Sequence, residues 1–362
     1  MSSSGLAKLK DAPYYWNDEQ RLECVMVMPE TQNAKTFFFK VDDEQLFNYE
    51  PGQFITIEVP TEKGILHRSY TLSTTPSRPL SIGITVKRKE DGQGGSAWLL
   101  DNLKLGDTVK AYGPSGIFSC RNLPAKKYLF ISAGSGITPM ISMLRWLYDY
   151  SVHTDITFIH CAARPSEILF RDEIEHMSKR DPDIKVSWIV KETDRYDVWT
   201  GFQGRFNQIM LELISPDFAE REVFCCGSEG FMQSVRDILH AEEFDMSHYH
   251  EESFGAPIHT EEDTPDHNDV IPADDVEAEI HFNSLNRDVA CKQTDTLLSV
   301  AKEVGVDIPS ACMFGVCGSC KIKKTSGEVH MIHNGGISDA DVESGYVLAC
   351  CSRAIGRVVL EI

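Results

Sequence analysis

Tyr128-Leu-Phe-Ile-Ser132 leads directly into Ala133-Gly134-Ser135-Gly136-Ile137-Thr138-Pro139. This is an apolar strand, then a glycine turn, then a helical stretch to about residue 150. A short apolar run without polar alternation fits a strand buried on both faces of a parallel sheet. The pattern continues downstream. Strands at 156–161, 186–190 and 223–226 alternate with helices at 166–179, 206–214 and 229–242, the rhythm of βαβ units. A glycine turn between strand and helix lets a phosphate-bearing ligand approach helix N-terminal N–H groups. It is not the G-x-G-x-x-G fingerprint, so on its own it is weak.

Upstream, short β-rich runs at 54–59, 68–73, 80–88 and 108–112 are set off by Gly and Pro, which predicts an antiparallel barrel. Downstream, residues 255–275 hold seven acidic residues, three prolines and no Lys or Arg, the composition of a flexible, self-repelling linker. Strands at 276–282 and 288–292, a helix at 296–303, a cysteine-rich loop and further strands follow. The expected organisation is therefore multidomain: a β-barrel over 1–123, an α/β parallel-sheet domain over 124–255, a linker over 256–275 and a small β-rich domain over 276–362.

Composition narrows the classes of function. The 362 residues carry a formal charge of −20, which opposes binding to a phosphate backbone. No run approaches the roughly 18–20 apolar residues of a membrane span. Met1 to Tyr15 has no apolar h-region or cleavage site, so the expectation is a cytoplasmic protein with no nucleic-acid or membrane partner. Of the eleven cysteines, five lie between Cys312 and Cys351, which without a secretory signal points to metal or redox chemistry.

Cys312, Cys317 and Cys320 give C-x4-C-x2-C, and Cys350 follows after a long gap. That is the spacing of plant-type [2Fe–2S] ferredoxins. One loop presents three thiolates, Gly315 and Gly318 allow a tight fold with N–H groups aimed at sulfur, and a distant thiolate closes the cage. Zinc, the rival, usually takes paired short C-x2–4-C spacings. Cys351 is the alternative fourth ligand, but in a strand it would face away from Cys350.

With Gly327-Glu328-Val329 and Tyr346-Val-Leu-Ala-Cys350, the C-terminal region resembles a plant-type ferredoxin domain with a β-grasp fold; Met313 stands where many such domains carry Arg. Arg68-Ser69-Tyr70-Thr71 resembles the R-x-Y-S/T motif of the ferredoxin–NADP reductase superfamily. The residue types suit the role: a guanidinium for a flavin phosphate, an aromatic ring to stack, and a hydroxyl near N5. The resemblance extends to Thr85-Val86-Lys87 as a second flavin contact, Gly94-Gly95-Ser96 at a helix N-terminus, and the Gly113-Pro-Ser-Gly116-Ile-Phe118 turn. The glycine–serine segment fits a pyrophosphate, hence FAD rather than FMN.

Gly134 to Pro139 matches the superfamily's G-x-G-x-T-P turn, which implies that Gly134, Ser135, Gly136 and Pro139 contact the nicotinamide nucleotide and that Thr138 lies between flavin and nicotinamide. Cys225-Cys226-Gly227-Ser228 resembles C-G-P, with Cys226 facing nicotinamide C4, Gly227 beside it and Ser228 replacing Pro. Glu252-Ser253-Phe254 resembles the E-x-F element near the flavin of oxygenase reductases; a solvated acidic run is the competing reading. Arg164 is a candidate for an adenosine phosphate or an ordinary surface residue. No basic cluster demands a 2′-phosphate, so NADH is preferred to NADPH. Thr71, Cys226 and Glu252 are the residues implied at the reacting centre.

The implied activity converts NADH, a two-electron donor, into single electrons through FAD and a [2Fe–2S] cluster. Residues 244–255 and 333–346 resemble most the reductase components of Rieske-type oxygenases that demethylate quaternary ammonium compounds such as glycine betaine. The partner is then an oxygenase component or another one-electron acceptor protein. Two alternatives remain: an NADH oxidoreductase for a hybrid-cluster protein, and a redox-sensing flavo-iron–sulfur protein without turnover.

Overall fold

The computed structural model describes residues 14–15, 21–41, 46–61, 64–89, 94–150, 154–193, 198–254, 276–306, 308, 310, 315, 318, 320–333, 336–337 and 339–362. The expected linker and the candidate ligands Cys312 and Cys317 lie outside the described residues. The chain divides into two compact units, residues 1–66 with 70–255 and residues 67–69 with 256–362.

The first unit opens with β1 (Tyr14–Tyr15), β2 (Arg21–Thr31), β3 (Ala34–Lys40), β4 (Leu46–Phe47), β5 (Phe54–Thr61), β6 (Gly64–Thr71), β7 (Ile82–Lys87), helix α1 (Gly95–Asn102) and β8 (Thr108–Ser115). Strands β1 and β4 pair with each other, and the other six form a sheet in the order β6-β5-β8-β2-β3-β7. The pairs β2–β3, β2–β8, β3–β7 and β5–β8 are antiparallel. The ends of the sheet meet where Leu72 bridges Ile84 and Ser73 N–H donates to Gly83 O at 2.9 Å, closing the barrel. Alternation fixes the faces. Phe37, Phe39, Leu72, Ile82, Ile84 and Val86 fill the interior, while Thr36, Ser73, Thr85 and Lys87 stand on the outside.

The nucleotide half adds β9 (Lys127–Ala133), α2 (Ile137–Asp149), β10 (Asp155–Ala162), α3 (Arg171–Arg180), β11 (Ile184–Val190), β12 (Phe202–Gln203), α4 (Gln208–Ile214), β13 (Glu222–Gly227), α5 (Glu229–Ala241) and β14 (Tyr249–Ser253). Its sheet is parallel throughout, in the order β12-β11-β10-β9-β13-β14. Helix α3 starts five residues later than the sequence pattern predicts. A 3-10 turn at Pro165–Glu167 and the left-handed backbone of Phe170 (φ 55°) intervene.

Helix α2 is apolar nearly all round, because one side covers the sheet and the other meets the barrel. Its polar exceptions dock it. Ser142 Oγ donates to Thr74 O at 2.5 Å and accepts from Gly52 N–H at 3.3 Å. Arg145, 7 % exposed, donates to Ser73 O at 2.5 Å and to both carboxylate oxygens of Glu173 at 2.9 and 2.5 Å.

The second unit carries β15 (Glu277–Phe282), β16 (Arg287–Lys292), α6 (Leu297–Glu303), β17 (Lys321–Met331), α7 (Asp339–Glu343), β18 (Tyr346–Leu348) and β19 (Ser352–Glu361). The sheet order is β16-β15-β19-β17-β18, with β15 and β19 parallel and the other pairs antiparallel. Helix α6 packs Leu297, Leu298, Val300 and Ala301 into its core, the arrangement of a β-grasp domain.

The Arg145 clamp has a testable cost. Arg145→Met leaves the Glu173 carboxylate and the Ser73 carbonyl without their shared donor and should destabilise the first unit by about 3 kcal/mol. Thermal unfolding followed by flavin release should move down, while loss of iron–sulfur absorbance stays where it is. Unchanged flavin release would show that the clamp contributes little.

Candidate functional site

Strand β6 at the barrel's edge carries the four residues of the flavin motif. Arg68 and Tyr70 are half-buried, Ser69 is exposed and Thr71 is buried. Thr71 Oγ1 is closed off from solvent with no hydrogen-bond partner, an arrangement that costs free energy unless something satisfies it. On β7, the Val86 side chain lies in the barrel core, so only its backbone faces outward. Thr85 Oγ1 lies 2.8 Å from both Thr36 Oγ1 and Ser73 Oγ. Lys87 Nζ pairs with Glu167 Oε2 at 2.7 Å, a link from the barrel to the turn after β10.

Gly94 caps α1, with Gly95 and Ser96 in its first turn, which contains no acidic residue. Ser96 Oγ accepts from Lys89 N–H at 3.1 Å. Phe254 follows β14 and is 44 % exposed.

On the nucleotide side, Gly134–Gly136 form a 3-10 turn into α2. Thr138 Oγ1 donates to Ser135 O at 3.0 Å, and Pro139 falls in the first turn, where its missing N–H costs nothing. A Cβ at Gly136 would lie 2.2 Å from Cys226 O, so only glycine lets the turn pack on β13. Arg164 donates to Glu192 Oε2 at 3.0 Å in an exposed pair.

Register aligns the rest. Cys226 pairs with Glu252 on one side and Ser132 on the other, and Ser132 pairs with His160. Partners in a parallel ladder share a face, so Glu252, Cys226, Ser132 and His160 form one row across the sheet. Burial, then the neighbouring Glu252 carboxyl, pushes the Cys226 thiol well above the usual range, so it stays neutral. His160, against Ser132 Oγ at 2.9 Å, is driven down to about 3 by burial and then by Lys87. Glu252 Oε2 is closed off without a partner, and burial pushes the carboxyl up to about 8. A methyl group at Gly116 would lie 3.8 Å from Glu252 Oε1, which sets this carboxyl against the barrel's Gly113–Gly116 turn. Neither His160 nor Ser132 stands out in the sequence; only register reveals them.

In the second unit, Cys350 N–H approaches Cys320 Sγ at 3.5 Å, and both residues are buried. Gly315 has φ 71°, and a Cβ there would meet Cys351 Sγ at 2.8 Å and His333 Cα at 2.9 Å, so the loop requires glycine at this point. Cys351 Sγ points to Leu348 O at 3.7 Å.

These features fit the groups implied. The buried hydroxyl of Thr71 and the buried carboxyl oxygen of Glu252 are the kind of atoms a flavin ring would satisfy. The first turn of α1, free of acidic residues, suits an anion. Two thiols with a backbone N–H aimed at sulfur suit an iron–sulfur cluster.

A closed antiparallel barrel, a parallel nucleotide sheet and a β-grasp domain in one chain define a modular flavin and iron–sulfur oxidoreductase. Family models agree: an oxidoreductase FAD-binding domain matches residues 25–120, an oxidoreductase NAD-binding domain 130–237 and a 2Fe-2S iron-sulfur cluster binding domain 280–354. The chain is 52% identical over 347 residues, 96% of its length and 98% of the relative's, to a stachydrine N-demethylase reductase subunit of Rhizobium meliloti. It is 41% identical over 354 residues, 95% of its length and 96% of the relative's, to a glycine betaine monooxygenase reductase subunit of Chromohalobacter salexigens. Among solved structures it is similar to phthalate dioxygenase reductase, at 26% identity and a TM-score of 0.58, covering 94% of this chain and 97% of that one. The chain belongs to the ferredoxin–NADP reductase superfamily, within the group of FAD and [2Fe–2S] reductases related to quaternary-ammonium monooxygenase reductase subunits. Among the described residues no helix is long and apolar enough to cross a membrane.

Two predictions follow from this geometry. A carboxyl with a folded pKa near 8 holds a proton that the unfolded chain has lost above about pH 4.3. Between those values stability falls as pH rises, and the penalty is complete above pH 8. Glu252→Gln in cofactor-free protein should therefore melt increasingly above wild type from pH 5 to 8; parallel melting curves would contradict the burial argument. Separately, Cys350→Ser should lose iron and acid-labile sulfide while Cys351→Ser keeps both. Wild-type iron in Cys350→Ser would remove it from the ligand set.

Proposed function

We infer that the chain transfers electrons from NADH through FAD and its [2Fe–2S] cluster to the oxygenase component of a quaternary-ammonium demethylating monooxygenase. The observation that carries this reading is the identity of 52% and 41%, over at least 95% of this chain, to reductase subunits named for stachydrine and glycine betaine. The domain limits proposed are 1–123, 124–255 and 276–362, joined by the acidic segment 256–275.

Bound FAD supplies the capacity to accept two electrons together and release them singly. In this reading Arg68 pairs with a flavin phosphate, the α1 N-terminus at Gly94, Gly95 and Ser96 takes the pyrophosphate, and Tyr70 and Phe254 cover the ring. Ser69 and Thr71 would hydrogen-bond to the flavin, and Thr85, Val86 and Lys87 would make its second contact. The turn Gly134, Ser135, Gly136, Thr138 and Pro139 admits the nicotinamide nucleotide, with Cys226 and Gly227 packing against it and excluding water. Glu252, neutral at pH 7, holds a proton beside the reacting centre. Arg164, engaged by Glu192, is not committed to a 2′-phosphate, which favours NADH. Cys312, Cys317, Cys320 and Cys350 hold the cluster. A plant-type cluster lies near roughly −400 mV and a Rieske centre at about −150 to +300 mV, so transfer to an oxygenase runs downhill.

The test is reconstitution. NADH, this protein and a quaternary-ammonium Rieske oxygenase should together demethylate the substrate, and the Cys350→Ser variant should oxidise NADH with ferricyanide yet fail to drive demethylation. Rapid reduction of a hybrid-cluster protein with no oxygenase turnover would replace this reading. NADH bleaching without turnover to any acceptor would favour a sensor.

A further inference from the structure

Glu252 Oε2 is closed off without a partner, yet the residue lies on β14, the edge strand of its sheet. An edge strand has a neighbour on one side only. A small outward displacement would return the carboxyl to water, which solvates it far better. Tyr249-His-Glu-Glu-Ser253 holds no aliphatic side chain, so apolar packing does little to oppose that movement. Polar contacts have to hold the strand in.

Strand β14 pairs with β13 without a register shift from Val223–Tyr249 to Gly227–Ser253. Phe224 and Cys226 therefore share a face with His250 and Glu252, and Glu222, two residues before Phe224, joins them. On this face His250 Nε2 donates to Glu222 Oε1 at 2.5 Å, and His248 Nδ1 donates to Glu222 Oε2 at 2.9 Å. A carboxylate only accepts, so each of these ring nitrogens carries its hydrogen. The Glu222 side chain is 14 % exposed, and hydrogen bonds to a charged group are the strong ones. The His250 ring also lies 5.2 Å from the Phe224 ring. On the opposite face Glu251 accepts from Tyr249 at 2.7 Å and from Arg236 at 2.5 Å, which ties β14 to α5. The tie to β13 on Glu252's own face is Glu222.

We propose that Glu222 is a positioning residue: by holding His248 and His250 it keeps β14 closed on β13 and Glu252 buried against Cys226. Its effect on turnover rests on the reading above, in which Glu252 holds a proton beside the reacting centre. Its effect on the placement of Glu252 does not.

Infrared carboxyl titration of the oxidised holoprotein reads that placement without turnover. A band absent in Glu252→Gln should titrate near pH 8 in wild type. In Glu222→Leu, which removes both contacts, it should move down toward the ordinary glutamate value of about 4.3 as water reaches the carboxyl. His250→Phe keeps the ring on Phe224, removes one donor and should move the band the same way. Glu222→Gln should hold the wild-type midpoint, because its amide accepts from one imidazole and donates to the other in its second tautomer. Stopped-flow bleaching of the flavin at saturating NADH should slow at least about tenfold in Glu222→Leu and His250→Phe and recover in Glu222→Gln. The NADH concentration for half-maximal rate should stay within about twofold of wild type in all three, since the misplaced group acts on the reacting centre rather than on binding. An unmoved band in both Glu222→Leu and His250→Phe, or a Glu222→Gln protein as impaired as Glu222→Leu, would overturn the positioning role. A wild-type flavin that NADH does not bleach would overturn the functional reading, while the titration still decides the placement.

Discussion

Arg145 joins three pieces of chain that are distant in sequence: the barrel edge at Ser73, its own helix α2, and Glu173 on α3. A charged group is tolerated at such depth because its donors are directed at a carbonyl and a carboxylate. The consequence is positional. Ser73 lies two residues beyond Thr71, and α2 begins at the glycine turn. The same helix that would receive the nucleotide thus holds the strand that would hold the flavin. Ser142, one turn earlier, repeats the contact at Thr74 and Gly52.

From that alignment the rest of the first unit follows. Gly136 can approach the Cys226 carbonyl only because it lacks a side chain, and this contact fixes the turn against β13. Register then brings Glu252 beside Cys226, and both are kept neutral by burial rather than by ion pairs. A neutral lining suits hydride chemistry, since fixed charges would bias the nicotinamide toward one redox state. Charge appears at the periphery instead, in the Lys87–Glu167 and Arg164–Glu192 pairs.

Strand periodicity made the three sheets legible in the sequence, because apolar runs such as Tyr128 to Ser132 and the alternation in Ile82 to Lys87 have few other solutions. The iron–sulfur domain was legible because the C-x4-C-x2-C spacing is that of a plant-type cluster, and the 2Fe-2S family model over residues 280–354 bears out the domain. Strand β14 was not: Tyr249-His-Glu-Glu-Ser253 is polar, and its pairing comes from the edge of a sheet that other strands complete. Arg145 reads as a solvated helix residue until the barrel covers it. Thr36, 49 residues from Thr85, looks like an ordinary outward-facing strand residue, and only the β3–β7 pairing joins the two. Sequence patterns report burial and local turns; they do not report which two polar residues meet across a sheet.

Electrons enter this chain in pairs and reach the cluster through the flavin. Anaerobic rapid freeze-quench after mixing with NADH tests it, with flavin absorbance and the reduced-cluster EPR signal followed on one time axis. Flavin bleaching should come first, and the cluster signal should then grow at a rate independent of protein concentration, as transfer within one chain requires. A cluster signal that precedes flavin bleaching, or that never appears while the flavin is fully reduced, would contradict it.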